Sequence, residues 1–101
     1  GLPPYGALGV IRCDSQSRQE GLDFLERLKR NVATAENCQL IGPLPAAMAR
    51  RKNRYRSQLV LAASGRAALA ASMAPLVKVA ESTRHSHRLN WSVDIDPYES
   101  L

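Results

Sequence analysis

The feature that most constrains the fold is an alternation between segments with helical periodicity and segments with strand character. Two groups of apolar residues recur at the three- and four-residue spacing of an amphipathic helix. The first group is Leu22, Leu25, Leu28 and Val32, and the second is Leu69, Met73, Leu76 and Ala80. Apolar or alternating segments at residues 7–13, 38–41, 55–62 and 89–95 flank these helices and predict β-strands.

The resulting order, β-α-β-β-α-β, predicts an α+β ferredoxin-like domain. Two interleaved βαβ halves give an antiparallel four-stranded sheet with both helices on one face. The usual strand order of this plan, 4-1-3-2, places the first strand inside the sheet and the last strand at an edge.

Local signals predict where several elements begin, bend or pack. Ser17 and Glu20 match the S-x-x-E capping box and predict the start of the first helix. Pro75 lies inside the second helical pattern, and because proline lacks a backbone N–H, a kink or break is predicted near residues 71–75. Trp91 lies on the apolar side of the last strand, which predicts that it belongs to the core.

The densest charge lies between the second and third predicted strands. Gly42, Pro43 and Pro45 are predicted to end the second strand, so residues 42–54 are expected to form a loop that projects from one end of the sheet. Five of the seven residues at positions 50–56, the basic segment, are cationic and none is acidic. The cations are Arg50, Arg51, Lys52, Arg54 and Arg56, and Tyr55 lies among them.

The basic segment predicts a binding surface for a polyanion. Guanidinium groups make bidentate bonds to phosphate and stack on bases, so four arginines and one lysine favour nucleic acid over a segment that is merely solvated. Tyr55 has two interpretations: it stacks an exposed base, or it covers the edge of the sheet, and the second is favoured.

Composition places the basic segment on a small globular domain. The chain has 101 residues, is 45% hydrophobic and carries a net charge of +5, which suits one apolar core and a concentrated cationic surface. It contains neither a run of about 18 apolar residues nor a signal peptide. Gly1 is followed by Leu2-Pro3-Pro4, which predicts an extended connector, and we expect the chain to be a fragment of a larger protein.

The sequence predicts no metal site. Cys13 and Cys38 lie far apart, form no C-x-x-C motif and are expected to be buried, reduced thiols. His85 and His87 supply two of the ligands that a metal site needs, in a polar connector without further ligands nearby.

The sequence also predicts no catalytic site. Asp94 and Asp96 share one side of the last strand, but no histidine or further acid supports them, so we expect them to pair with arginines or to mark the C-terminal rim of the sheet. The chain contains no phosphate-binding loop and no Ser-His-Asp or Cys-His arrangement.

Several short motifs occur in a specific order along the chain. They are Leu2-Pro3-Pro4-Tyr5, Gly42-Pro43-x-Pro45-Ala46-x-Met48, Arg50-Arg51, Arg54-Tyr55-Arg56-x-Gln58-Leu59, Ser64-Gly65-Arg66 and Trp91-Ser92-Val93-Asp94-Ile95-Asp96-Pro97. Taken together, they resemble the C-terminal domain of the bacterial primosomal replication-restart helicase, PriA. The resemblance spans residues 2–97, with Pro75 and the end of the chain as departures.

The resemblance implies a non-catalytic domain of an ATP-dependent 3′-to-5′ DNA helicase of the bacterial cytoplasm. The ATP-binding motifs and a zinc module of that helicase lie upstream, so no cofactor is expected here. The implied fold resembles ribosomal protein S10, which agrees with the predicted element order. Residues 1–6 are expected to connect to the helicase core, residues 7–97 to form the domain and residues 98–101 to form a tail.

The resemblance also implies partners. These are single-stranded and branched DNA, the upstream helicase core, other primosome proteins and the acidic C-terminal tail of single-stranded DNA-binding protein. In the family an arginine binds this tail, and by the match of its flanking motifs it corresponds to Arg66. Two alternatives remain: an S10-like domain that binds RNA or the ribosome, and a purely structural domain that packs on the helicase core.

Overall fold

The computed structural model describes residues 6–33, 37–51, 53–86 and 88–95, and the side chains of residues 47–51 also lie outside the described part. Most of the predicted connector and the whole predicted tail therefore lie outside the described residues. The elements are β1 (Ala7–Ser15), α1 (Arg18–Asn31), β2 (Cys38–Arg51), β3 (Arg54–Ala63), α2 (Arg66–Ser82) and β4 (Leu89–Ile95).

This order confirms the predicted β-α-β-β-α-β arrangement and the α+β class. The four strands form one antiparallel sheet in the order β2-β3-β1-β4, which is the predicted order. β1 pairs with β3 on one side and with β4 on the other, so it lies inside the sheet, while β2 and β4 form its edges.

Both helices pack on the same face of the sheet, here called the helix face. A Cβ atom added at Gly9 of β1 would lie 2.5 Å from the Met73 Cε of α2, so a larger residue there would require the flexible end of the Met73 side chain to shift. Each fully buried leucine or isoleucine side chain stabilises the fold by roughly 1.5–3 kcal/mol relative to an exposed one. The fully buried leucine and isoleucine side chains of the core are Ile11, Leu25, Leu28, Leu59, Leu61, Leu69 and Leu76.

The predicted end of the second strand at residue 41 is wrong. β2 continues to Arg51, with register shifts between Ile41 and Leu44 and again between Pro45 and Arg50. A strand at the edge of a sheet tolerates prolines because its outward N–H groups have no ladder partner to lose. Gly42 has a φ of 113° at the first shift, a conformation that favours glycine. The predicted loop is therefore replaced, over its described residues, by a bulged β-hairpin in which β2 extends to Arg51 and β3 starts at Arg54.

Of the kink or break predicted near residues 71–75, the break is wrong, while the kink stays a prediction. α2 is one continuous helix from Arg66 to Ser82, with Pro75 in its interior. Proline removes one backbone hydrogen bond and strains the preceding turn. Buried side chains on both sides of it, Met73 and Leu76 among them, pack α2 against the sheet and outweigh this local cost.

Trp91 lies on the predicted face of β4, but it is only half-buried. Its ring packs against Phe24 of α1, with the ring centroids 6.3 Å apart. Phe24 also makes an edge-to-face contact with His85, at 5.5 Å between centroids. Trp91 borders the core because β4 is an edge strand and α1 covers it incompletely, so its assignment to the core interior is corrected.

Glu20 joins three parts of the fold. The first half of the predicted capping box is present, since the Ser17 hydroxyl oxygen accepts a hydrogen bond of 3.2 Å from the Glu20 N–H. The Glu20 carboxylate accepts hydrogen bonds from the Ser15 hydroxyl at 3.2 Å, from the Ser86 N–H at 3.0 Å and from the Ser86 hydroxyl at 3.0 Å. It therefore fixes the segment before β4 to the junction of β1 and α1.

These hydrogen bonds predict a pH-dependent contribution to stability. The backbone N–H and then the hydroxyl of Ser86 hold the pKa of Glu20 below its ordinary value, because they stabilise the ionised carboxylate. A lowered folded-state pKa stabilises the fold above the unfolded pKa, about 4.3 for glutamate. This stabilisation is lost as the pH falls through the folded-state pKa.

We expect Glu20→Gln to lower the melting temperature at pH 7 and to change it much less at pH 3. Thermal unfolding followed by circular dichroism at both pH values measures the difference. Glu81→Gln, at an exposed position of α2, is the control and should change neither value. If Glu20→Gln lowered the melting temperature equally at both pH values, a role for the ionised carboxylate would be contradicted.

Candidate nucleic-acid interface

The β2–β3 hairpin gathers the basic segment at one end of the sheet. Arg50 pairs with Tyr55 and Arg51 pairs with Arg54 across the two strands. Opposite residues in an antiparallel pair lie about 4.5–5.5 Å apart, so these four positions form a compact group. Lys52 and the side chains of Arg50 and Arg51 lie outside the described part of the structure.

The alternation of β3 divides the rest of the basic segment between the two faces. Tyr55 is half-buried and lies on the helix face, in phase with the buried residues Ser57 and Leu59. Arg54 and Arg56 lie on the opposite side of the sheet, here called the far face. Tyr55 therefore lies on an inner strand of the sheet and not at its edge. Its stacking on an exposed base stays a prediction.

Arg54 connects the hairpin to the centre of the sheet. Its guanidinium forms an ion pair with the Asp14 carboxylate of β1. It also donates hydrogen bonds to the carbonyl oxygens of Asp14, at 3.1 Å, and Arg88, at 2.8 Å. These three contacts join the start of β3, the end of β1 and the residue before β4, so Arg54 has a structural role that the sequence did not indicate.

A second ion pair lies on the far face. The Arg12 guanidinium of β1 binds the Asp94 carboxylate of β4 at 2.8 Å, which confirms the expected pairing of Asp94 with an arginine. Both side chains remain more than one third exposed, so the pair contributes about 0–1 kcal/mol to stability. Asp96, its predicted companion, lies outside the described residues.

Arg66 lies at the other end of the sheet from the hairpin. It is the exposed first residue of α2, and the N-cap residue Gly65 provides no side-chain hydrogen bond to the helix. β3 separates Arg66 from Arg54, and a strand of this length spans roughly 30 Å. Arg66 and the basic segment therefore belong to separate surfaces of the domain.

The two cysteines are buried free thiols, as predicted. Burial raises the pKa of the Cys13 thiol to about 12, and the nearby Asp14 and Glu20 charges add to this rise. Ser72 donates a hydrogen bond of 3.1 Å to the Cys38 sulfur. Within the described ranges, no three histidine, cysteine, aspartate or glutamate side chains form a group that is able to hold a metal ion. His87, half of the histidine pair, lies outside those ranges.

A cleft that was not predicted from the sequence lies beside the hairpin. Arg18 and Leu22 of α1 line it on one side, and Pro43 and Pro45 of β2 line it on another, with Tyr55 contributing as well. One available signal was the position of Arg18 in the first turn of α1, where the helix dipole disfavours a cation unless an anion is bound nearby.

These features define a small split βαβ domain whose β2–β3 hairpin carries a concentrated positive charge. The chain matches the family model of the primosomal protein N C-terminal domain over residues 1–98, and it belongs to that family. This membership confirms the resemblance found in the sequence and gives the domain a role in primosomal replication restart. In the part of the chain that the structure describes, no helix is long and apolar enough to span a bilayer.

The contacts of Arg54 predict that Arg54→Ala destabilises the domain more than Arg56→Ala does. We expect Arg54→Ala to lower the free energy of unfolding by about 1–2 kcal/mol, because it removes an ion pair and two charged hydrogen bonds at partly exposed positions. We expect Arg56→Ala to change it by about 0.5 kcal/mol or less. Urea unfolding of the two variants measures both values, and an equal loss in the two would contradict the structural role of Arg54.

Proposed function

We propose that this chain is a non-catalytic DNA-binding and protein-docking domain of a replication-restart helicase. The observation that carries the DNA-binding part is the pairing of β2 with β3. It brings Arg50 opposite Tyr55 and Arg51 opposite Arg54, with Arg56 one residue further along the same strand. A scattered set of surface cations provides no such local concentration of charge.

The hairpin suits contacts with phosphate more than contacts with base edges. Arginine side chains bind phosphate oxygens in pairs, and such contacts position a nucleic acid without reading its sequence. The expected ligands are therefore single-stranded and branched DNA, bound with little sequence preference. In this proposal Arg54 anchors the hairpin through Asp14, while Arg50, Arg51, Lys52 and Arg56 supply most of the binding charge.

The proposal assigns the helicase chemistry to the upstream part of the parent protein. ATP and zinc belong there, as the resemblance implies, and this domain supplies binding surfaces in the bacterial cytoplasm. The expected partners are DNA, the upstream helicase core, single-stranded DNA-binding protein and other primosome proteins.

Arg66 is proposed to bind the acidic C-terminal tail of single-stranded DNA-binding protein. Its support is the family resemblance together with the position of Arg66 at the start of α2. Backbone N–H groups at a helix start favour an anion, and a guanidinium beside them adds a bidentate partner for a carboxylate. The distance from the hairpin allows this tail and DNA to bind at the same time.

Exposed apolar side chains favour contact with another protein surface as well. Ile41 and Leu44 lie close together on the edge strand β2, with 37% and 41% of their surfaces exposed. We propose that this edge packs on the helicase core. If the domain were purely structural, this contact would remain while DNA binding was absent.

We expect the 101-residue chain to bind single-stranded and forked DNA with a strong dependence on salt. For three to five phosphate contacts, a plot of log K against log salt should have a slope of roughly −2 to −4. The combined change of Arg50, Arg51 and Arg56 to alanine should weaken binding and flatten this slope, and it leaves the Arg54 contacts in place. Fluorescence anisotropy titrations over a range of salt concentrations measure both effects.

The control for this experiment is the combined change of Arg27, Arg30 and Lys78 to alanine. It removes the same formal charge from exposed helical positions and should leave most of the slope intact. Tighter binding of structured RNA than of forked DNA would support the RNA-binding alternative. Absence of DNA binding would support the purely structural alternative.

In the parent helicase we expect Arg66→Ala to weaken binding of the acidic tail peptide and to leave binding of naked DNA near normal. In the isolated chain the peptide should bind weakly, because the resemblance places the rest of its pocket in the helicase core. Backbone chemical shifts in labelled protein locate the contact. Shifts confined to residues 50–56 would contradict the assignment of Arg66, and Lys78→Ala is the matched control on the same helix.

A further inference from the structure

A cleft of about 570 Å³ lies between the start of α1 and the bulged part of β2. It is formed by three elements, since α1 provides one wall, β2 provides the opposite wall and β3 contributes the residues between them. Its lining is mainly apolar and, among the described residues, includes arginine but no carboxylate. The lining residues that matter here are Arg18, Leu22, Pro43, Pro45, Tyr55 and Ser57.

The part of β2 that lines this cleft carries the two register shifts of the strand. Pro43 lies within the first shift, between Ile41 and Leu44, and Pro45 pairs with Ser57 of β3 directly before the second shift. The Lys29 ammonium of α1 donates a hydrogen bond of 2.8 Å to the carbonyl oxygen of Gly42, which fixes the bend against the helix. Because proline rings are rigid, this wall keeps its shape with little loss of entropy when a ligand binds.

The chemistry of the cleft fits one unpaired nucleotide. Tyr55 is an aromatic side chain of the kind on which nucleobases stack, and Leu22 and the two prolines add apolar surface beside it. Arg18 is the first residue of α1, where its charge and the helix dipole both attract an anion. A base and the phosphate attached to it therefore have complementary partners within one cleft.

The neighbouring hairpin favours a nucleic acid over an acidic peptide as the occupant. Arg56, a member of the basic segment, lines the cleft together with Tyr55, and Arg50 occupies the register position opposite Tyr55. A single strand whose phosphates bind the hairpin has its next base within reach of the cleft. We infer that this cleft is a subsite that binds one unpaired base of single-stranded DNA, with Tyr55 and Leu22 contacting the base and Arg18 binding its phosphate.

This inference rests on the proposed DNA-binding function and adds a basis for selecting single strands. A paired base is stacked inside its duplex and enters the cleft only after it is unpaired and unstacked, which costs a few kcal/mol. The cleft therefore favours DNA that already has unpaired bases, whereas the arginines of the hairpin bind the phosphates of either form.

The test compares two oligonucleotides with the same number of phosphates, a thymidine 20-mer and a fully abasic 20-mer. We expect the 101-residue chain to bind the thymidine oligonucleotide at least about fivefold more tightly. Tyr55→Leu should abolish this preference and retain the salt dependence, while Tyr55→Phe should keep the preference. Arg18→Ala should weaken binding of both oligonucleotides, and Lys78→Ala should change neither.

Chemical shifts of the Leu22 methyl groups give a second measurement that does not depend on the stability of the variants. They should move with the thymidine oligonucleotide and remain in place with the abasic one. Equal affinity for the two oligonucleotides, with an intact salt dependence, would overturn the subsite and leave the proposed function standing. Binding of neither oligonucleotide would overturn both. Movement of the Leu22 methyl groups with an acidic peptide but not with DNA would assign the cleft to a peptide instead.

Discussion

The antiparallel pairing of β1 with both β3 and β4 is the constraint on which the other features depend. β1 comes first in the chain, yet it lies between β3 and β4, which begin about 40 and 75 residues after the end of β1. Its end is held by two carboxylates, since Asp14 binds Arg54 of β3 and Glu20 binds Ser86 ahead of β4. Because both contacts lie at the end of the sheet that carries the hairpin, they fix the base from which the basic segment extends.

The irregular course of β2 adapts this sheet for binding. Its two register shifts and the bend at Gly42 lie in the part of the strand that borders the cleft beside α1. Beyond them, the pairing of Arg50 with Tyr55 continues the hairpin. The same edge strand also leaves Ile41 and Leu44 exposed, so in our proposals β2 serves DNA and a protein partner.

Local chemistry was sufficient to predict the elements and part of the site. Helical and strand periodicity gave the order of the elements, and that order gave the strand order of the sheet, because few topologies satisfy it. The Ser17 cap, the burial of both cysteines and the pairing of Asp94 with an arginine were also predictable, since each depends on residue type and nearby sequence. The basic segment was visible for the same reason, as its charges are adjacent in the chain.

Features that depend on partners distant in sequence were decided only by the tertiary structure. β2 continues past its prolines because β3 pairs with it, and α2 continues through Pro75 because buried neighbours hold it to the sheet. Trp91 is half-buried because α1 covers the edge strand incompletely. The sequence by itself determined which elements form and where the charge lies. Packing between distant segments decided how far the elements extend, which face Tyr55 occupies and that a cleft opens beside it. These outcomes depend on register and contact across the sheet and not on local propensity.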